Sequence, residues 1–334
     1  MILPAILAFL AAVTFAANNA TLRRGVVHGT LAQAMAVTLL LGLALIWIAL
    51  AACGGLPLLG VFPARSVALF AAAGLLHFAF GRYCNYRATR AMGAVLVGPV
   101  QQTSVLVTLV LAIALLGETL TPLHAAGILL ILAAPMLAVK NANGPAWLAW
   151  ARRPRGGGPV AAVAITAPGQ GAAPAGAFRP QLAEGYFFAS LSALAFGASP
   201  ILVREGMIEG SGMAGGLAGA AVAYSAATLA VAGYLALPGR GRGALAISRP
   251  ALGWYAMTGL MAAASQVFVY MALAIAPASL VVPIQRTSIV MRVGLAKLLN
   301  PELESFDGRI VLATVASLAG AVALSVDPDW FRAP

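Results

Sequence analysis

Two arginines stand within long apolar runs, where an unpaired cation is costly. Arg286 lies near the middle of one such run and Arg82 near the middle of another. An arginine inside a membrane helix almost always faces a cavity or a partner, so both side chains are expected to bind an anionic group. Arg292 is closer to the end of its run, and we expect its side chain to reach the interface instead.

A short polar motif occurs twice in the chain and suggests a second kind of chemistry. Pro99-Val-Gln-Gln-Thr-Ser104 returns 184 residues later as Pro283-Ile-Gln-Arg-Thr-Ser288. Gln101 with Ser104, and Gln285 with Ser288, are three residues apart and share a helix face. They are predicted either to hydrogen-bond a substrate or to join neighbouring helices. The prolines are expected to interrupt the helical hydrogen bonds one turn earlier.

Other polar residues in apolar runs are further candidates for a binding cavity. His77 is expected either to titrate during a proton-coupled cycle or to be a satisfied interior histidine. Asn18 is expected either to face a helix break near a transport site or to bond a neighbouring helix. The remaining candidates are Tyr86, its repeat partner Tyr270, and Gln266, which matches Arg82 in the repeat.

Catalytic chemistry has few residues to use. The chain has no phosphate-binding Gly-rich loop, and its only aspartates are Asp307, Asp327 and Asp329, near loops and the tail. Three scattered histidines form no Ser-His-acid set and no metal spacing, so neither an enzyme, a cofactor nor a metal is predicted. Glu118, Glu184 and Glu302 fall at helix ends, where we expect structural roles. Without a membrane carboxylate, a cation exporter of the small multidrug type is disfavoured.

Composition places these residues in a membrane protein. The 334 residues are 61% hydrophobic and 9% charged, with a mean hydropathy of +0.94. Ten runs of about 20 apolar residues are long enough to cross a bilayer. Cys53 and Cys84 are expected to be small hydrophobes rather than a disulfide. The net charge of +11 suits cytoplasmic loops and anionic headgroups, so nucleic acid is not an expected partner.

The internal repeat predicts the architecture. At an offset of 184, Tyr86, Pro99, Gln101, Ser104 and Glu118 fall on Tyr270, Pro283, Gln285, Ser288 and Glu302. Five helices per half is an odd number, so the halves enter the membrane in opposite senses. The prediction is an all-α membrane protein of ten transmembrane helices in two inverted five-helix repeats. Repeats at 1–140 and 182–326 are joined by a flexible linker at 141–181 and followed by a tail at 327–334.

The two halves, the proline and polar pattern, and Gly117-Glu118-Thr119-Leu120 resemble the ten-helix EamA-type transporters of the drug/metabolite transporter superfamily. The resemblance implies a central cavity between the halves and transport of small molecules by alternating access. The second connection departs from the pattern, because Pro301 stands where glycine precedes the acidic residue, and we expect a stiffer turn there.

The orientation in the membrane is predicted differently by charge and by resemblance. Arginines and lysines concentrate after odd-numbered helices, which by the positive-inside rule puts both termini outside the cytoplasm. The resemblance implies both termini inside. We favour the charge distribution, because it comes from this sequence directly.

The sequence therefore predicts a multi-pass transporter of the bacterial inner membrane, acting as a monomer or homodimer. Its expected substrate is a small anionic or zwitterionic metabolite, moved by secondary transport with a proton or counter-substrate as coupling partner. A broad-specificity drug exporter is one alternative. A non-transporting accessory subunit or an intramembrane enzyme is the alternative from a different class.

Overall fold

A computed structural model describes residues 2–116, 122–137, 180–208, 211–238, 246–275, 281, 284–285, 287–304, 306 and 308–325. The described residues are all-helical. In the first part of the chain the helices are α1 Ile2–His28, α2 Leu31–Ala52, α3 Ala64–Gly74, a π-helix Leu75–Gly81, α4 Arg82–Met92, α5 Ala94–Gln102, α6 Ser104–Leu116 and α7 Pro122–Leu137. A short 3₁₀ helix, Leu56–Gly60, precedes α3.

The second part of the chain contributes five helices to the described structure. They are α8 Leu182–Gly206, α9 Gly212–Ala236, α10 Arg249–Ile275, α11 Ser288–Leu299 and α12 Gly308–Ser325. Nearly all of the predicted linker at 141–181 lies outside the described residues, as does the tail at 327–334.

Six of the described helices are long and apolar enough to cross a membrane. They are α1, α2, the continuous helix over Ala64–Met92, α8, α9 and α10. Shorter apolar helices occur at Ala94–Thr108 and Gly308–Gly320. The chain is therefore a multi-pass helical membrane protein, in agreement with its composition.

Local sequence explains where several helices start and stop. Thr30 caps α2 in a capping box, because its hydroxyl accepts from Gln33 N at 3.3 Å while Gln33 Oε1 accepts from Thr30 N at 2.9 Å. Gly93 ends α4 with φ of 89°, a left-handed conformation that favours glycine. Pro99 lies inside α5, and α5 ends at Gln102 with Thr103 as its C-cap, one turn after the proline.

Helices of the first part pack mainly against helices of the second. α1 lies along α10, α4 along α8, α2 along α9 and α7 along α12. The largest buried cluster is formed by side chains of α1, α2, α3, α4, α9 and α10. The space between α1, α4, α8 and α10 is polar, and it contains the candidate site.

Candidate functional site

A small cavity lies between five elements from both parts of the chain. It is lined by Phe15 and Asn18 of α1, by His77 of the π-helix, by Arg82, Asn85 and Tyr86 of α4, by Phe196 of α8, and by Ala262 and Gln266 of α10. Five residues singled out from the sequence, Asn18, His77, Arg82, Tyr86 and Gln266, thus come together in one place. None of the nine described lining residues is acidic.

Arg82 is the only cation among these lining residues. Its side chain is buried, and Nη2 donates to the Tyr224 hydroxyl at 2.6 Å. The guanidinium lies 5.1 Å from the ring centres of both Phe78 and Tyr224, in cation–π geometry. Within the described part of the chain, Nη1 has no hydrogen-bond partner. Arg82 therefore brings a positive charge and one available donor to the cavity.

The π-helix explains why His77 and Arg82 share the cavity. The two residues are five apart, and a regular α-helix would point them to different sides. A π-helix bonds residue i to i+5, so residues five apart lie closer to one face. Because Leu75–Gly81 is π-helical, both side chains reach the same space.

His77 is fixed on two sides by the second part of the chain. Its Nδ1 and the Ser199 hydroxyl are hydrogen-bonded at 2.6 Å. Its ring stacks on Phe196, with 4.4 Å between ring centroids. Both partners belong to α8, so His77 connects the π-helix to that helix across the edge of the cavity.

Asn18 and Tyr86 also line this space. Asn18 is buried, and its Oδ1 has no hydrogen-bond partner among the described residues. The Tyr86 hydroxyl donates to Thr38 Oγ1 of α2 at 3.2 Å. Asn18 therefore offers an acceptor where Arg82 offers a donor.

A second polar layer lies behind the cavity wall and centres on Gln101. Its Nε2 donates to Asn85 Oδ1 at 2.7 Å and to Ser192 Oγ at 3.4 Å, while its Oε1 accepts from Arg292 Nη1 at 2.9 Å. Asn85 belongs to both groups, since it also lines the cavity. Gln101 joins neighbouring helices, although it does not itself line the cavity.

Arg292 corrects an expectation from the sequence. It was expected to reach the membrane interface, but its residue is only 3% exposed. The guanidinium lies 5.4 Å from the Phe15 ring centre, and Nε has no hydrogen-bond partner in the described structure. Position along one helix does not determine depth in a bundle, because α1 and α5 cover this end of α11.

The other residues predicted from the sequence lie away from the cavity or outside the described residues. Ser104 and Ser288 are buried at the starts of α6 and α11, and Gln285 is half-buried. Tyr270 belongs to the hydrophobic core beside α9. Arg286, the first choice from the sequence, lies outside the described residues, as do Pro283 and Glu118.

The acidic residues have roles that the sequence predicted only in part. Glu184 lies in the first turn of α8 and pairs with Arg87 at 2.7 Å, and Glu302 is exposed. No group of three His, Cys, Asp or Glu side chains that could hold a metal occurs within the ranges the structure describes.

Glu304 is the functional candidate that the sequence reasoning missed. Its side chain is fully buried in the turn before α12, 3.7 Å from Arg23 Nε. Its oxygens accept from Ala94 N at 2.7 Å and from Val95 N at 3.1 Å, at the start of α5. Burial raises the pKa of the Glu304 carboxyl to about 7, against the opposing effects of Arg23, the two amides and Arg292.

Arg23 is the buried partner of Glu304. It lies within α1, which continues to His28, and it is only 2% exposed. Its guanidinium donates to Leu303 O at 2.7 Å and to Thr89 O at 3.2 Å. The sequence did contain one signal for Glu304. The position that matches it in the first half is Leu120, so this acidic residue is not explained by the internal repeat.

Fold and cavity together define a polytopic helical membrane protein with a polar, positively charged central space. A sequence model of the EamA-like transporter family matches residues 2–140. This match confirms the resemblance over that part of the chain, which is similar to membrane transporters of this family. A comparison with curated proteins finds no match.

Solved structures support the same fold over a longer part of the chain. One structure, titled only as the crystal structure of a protein, covers 97% of this chain and 98% of its own. Its TM-score is 0.58 at 17% identity, so the likeness concerns the fold alone.

Proposed function

We propose that the protein is a secondary active transporter of a small anionic or zwitterionic metabolite, working by alternating access. The observation that carries this proposal is Arg82, whose Nη1 has no partner among the described residues and whose charge meets no acid in the cavity lining. Its hydrogen-bonded partner Tyr224 is a phenol and not a carboxylate. A carboxylate or phosphate on the substrate supplies the missing countercharge.

The rest of the lining suits a small molecule with an apolar part. Phe15, Phe196 and Tyr86 provide aromatic walls, and Asn18 Oδ1 is an acceptor for a substrate N–H or O–H. Gln266 stands at the repeat position of Arg82, so the two halves contribute different groups to one space. Arg286 remains a proposed second binding residue on the sequence argument.

The packing of the helices supports two inverted repeats. Contacts between α1 and α10 have a counterpart in those between the α3–α4 helix and α8, as expected when the halves exchange roles. The α2–α9 and α7–α12 pairs are each formed by equivalent helices of the two halves. Such a cavity between repeats is the usual place for a substrate in secondary transporters. We propose this arrangement for a bacterial inner membrane.

Transport assays in liposomes test the proposal. We expect saturable counterflow of at least one member of a labelled set of monocarboxylates, zwitterions and phosphate esters. Arg82→Gln is expected to lower kcat/KM roughly 10- to 100-fold, the size of one lost charged hydrogen bond. Arg87→Gln is the matched control on the same helix, because Arg87 pairs with Glu184 near the surface and does not line the cavity.

The result that would overturn the proposal is equally specific. Counterflow that is unchanged by Arg82→Gln removes the basis for an anionic substrate. Chemical conversion of a compound without its movement across the bilayer identifies an enzyme instead.

A further inference from the structure

The two ends of the bundle are held differently. At the end where α1 and α4 finish and α5 and α8 begin, which we call the Glu304 end, hydrogen bonds join the first part of the chain to the second. Arg24 Nε donates to Leu299 O at 2.7 Å, Asn300 Nδ2 to Ala20 O at 2.8 Å, and Gln181 N to Ala91 O at 2.8 Å. At the opposite end, the one ion pair in the described structure is Arg65–Glu205, which is exposed.

Glu304 is at the centre of this closed end. It comes from the second half of the chain, and the described groups that hydrogen-bond or pair with its carboxylate, Ala94 N, Val95 N and Arg23, come from the first. The two amides at the start of α5 each donate to a different carboxylate oxygen, and Arg23 of α1 is 3.7 Å away. One side chain thus holds α1, α5 and the turn before α12 together.

Gly93 shows how closely this carboxylate is seated. A Cβ atom at position 93 would collide with Glu304 Oε2, and the backbone there has φ of 89°. Both features require glycine. The turn between α4 and α5 is therefore shaped to receive the carboxyl group.

Among the described residues, two charged groups act on Glu304. Arg23 approaches from α1 and Arg292 acts from α11, while α5 offers only backbone amides. Thr89 and Arg90 of α4 contribute carbonyl oxygens, which accept from Arg23 and not from the acid. Arg292 is bonded to Gln101, which is bonded to the cavity residue Asn85. The closed end and the cavity therefore share one polar network.

Resting on the transporter function proposed above, the geometry points to a gate. We propose that Glu304 is a proton-binding gate residue: its carboxyl group closes this end of the bundle, and it exchanges a proton with solvent each time the end opens. Alternating access requires the closed end to open, and opening separates Glu304 from α5. A carboxyl group that moves between a dry site and water changes its proton affinity, because burial disfavours the charged form.

The direction of the coupling follows from that burial. In the closed end the pKa of Glu304 is about 7, and in water a carboxyl returns to its ordinary value near 4.5. At pH values between about 4.5 and 7, Glu304 is therefore protonated in the closed conformation and deprotonated in the open conformation. Opening therefore releases a proton to the Glu304 side, and a rise in pH through this window favours opening.

Thiol labelling at the closed end tests the proposal without any substrate. The starting protein carries Cys53→Ser, Cys84→Ala and Ala20→Cys, because Ala20 is fully buried beside Asn300. A membrane-impermeant maleimide is added to liposomes of known sidedness. Glu304→Ala leaves two amides without their acceptor and Arg23 without its buried countercharge, so we expect labelling at position 20 to be at least tenfold faster. Glu302→Ala, the exposed acid two residues away, is the matched control and is expected to change labelling less than twofold.

The pH dependence of labelling tests proton binding by Glu304 separately from its role in closing this end. In the starting protein, the rate of thiol labelling is expected to rise more steeply between pH 5 and 8 than in Glu304→Gln. The glutamine variant has no carboxyl group to titrate at this position, so it corrects for the ionisation of the thiol itself. Infrared spectroscopy of the unsubstituted protein is expected to show a protonated carboxyl signal, lost with a midpoint near 7, that Glu304→Gln lacks. This measurement requires neither gating nor the folding of the alanine variant.

Two results overturn the proposal. Equal labelling in Glu304→Ala and Glu302→Ala shows that Glu304 does not close the end. A pH dependence that is unchanged in Glu304→Gln shows that Glu304 does not carry the proton. Since labelling needs no transported anion, an incorrect substrate class would leave both measurements valid.

Discussion

Arg82 is stabilised by neutral groups, and this determines what its charge can do. A phenol hydroxyl and two aromatic rings hold the guanidinium without cancelling its charge. An acidic partner would leave the cavity neutral and unselective. The arrangement keeps a buried cation available for a substrate, at the expense of stability in the empty protein.

Removing the Tyr224 hydroxyl tests how much of that stabilisation comes from one hydrogen bond. Tyr224→Phe leaves a second guanidinium N–H without a partner, so we expect the free energy of unfolding to fall by about 1.5–3 kcal/mol. Denaturant unfolding in detergent measures it. Tyr234→Phe, on the same helix with a half-exposed side chain, is expected to stay within about 0.5 kcal/mol. Equal effects in the two variants would contradict the assignment.

Gln101 allows a comparison between two substitutions at one position. Gln101→Leu removes the acceptor of Arg292 Nη1 and the donor to Asn85, and it is expected to cost about 3 kcal/mol or more. Gln101→Glu gives Arg292 a carboxylate, so its cost should be clearly smaller while anion transport falls. Unfolding free energies and counterflow rates report the two effects. A leucine variant more stable than the glutamate variant would exclude this role.

The residues that line the cavity were easier to predict from the sequence than the residues that contact them. Arg82, His77 and Asn18 were identified because a polar residue in an apolar run needs a polar environment, wherever that environment is. Arg292 was placed wrongly and Glu304 was missed, because their burial depends on other elements. α1 and α5 cover Arg292, and the turn at Gly93 receives Glu304. Pattern along one helix contains no information on such tertiary neighbours.

At the scale of elements, the helix over Ala64–Met92 positions most of the cavity. Its apolar length predicted a span, and the composition of the chain predicted an all-helical bundle. The π-helical stretch that aligns His77 with Arg82 was not predictable, since its residues have no distinctive pattern. It arises where α3 approaches α9 closely at Gly74 and then meets α8.

The close approach at Gly74 gives a test of this element. A Cβ atom there would meet the carbonyl oxygen of Ala223, and backbone cannot move aside as a side chain can. Gly74→Ala is therefore expected to lower the free energy of unfolding by about 2 kcal/mol or more. Gly233→Ala on α9 has no neighbouring atom within 4 Å and should stabilise the helix by roughly 0.5–1 kcal/mol. Thermal unfolding of both variants measures these changes. A loss of stability in Gly233→Ala equal to that in Gly74→Ala would refute the packing argument.

At the scale of the whole molecule, the structure combines a closed end with a polar centre. Six helices long enough to cross a membrane make it a multi-pass membrane protein, and its residues 2–140 match the EamA-like transporter family. Buried hydrogen bonds join the two parts of the described chain both around the cavity and at the Glu304 end. At the Glu304 end, the stability of the bundle depends in part on the protonation of a residue in a turn.

This dependence predicts how global stability changes with pH. The folded-state pKa of Glu304, about 7, is above the ordinary value of 4.5, so the folded protein binds more protons than the unfolded chain between these values. The contribution of Glu304 to stability is thus fully present below pH 4.5 and is lost as pH rises towards 7, by about 3 kcal/mol at most. The difference in unfolding free energy between the unsubstituted protein and Glu304→Gln, measured from pH 4.5 to 8, isolates this contribution. A difference that grows more favourable with rising pH would mean that Arg23 and the α5 amides outweigh burial, and that the carboxylate holds the closed end as an anion.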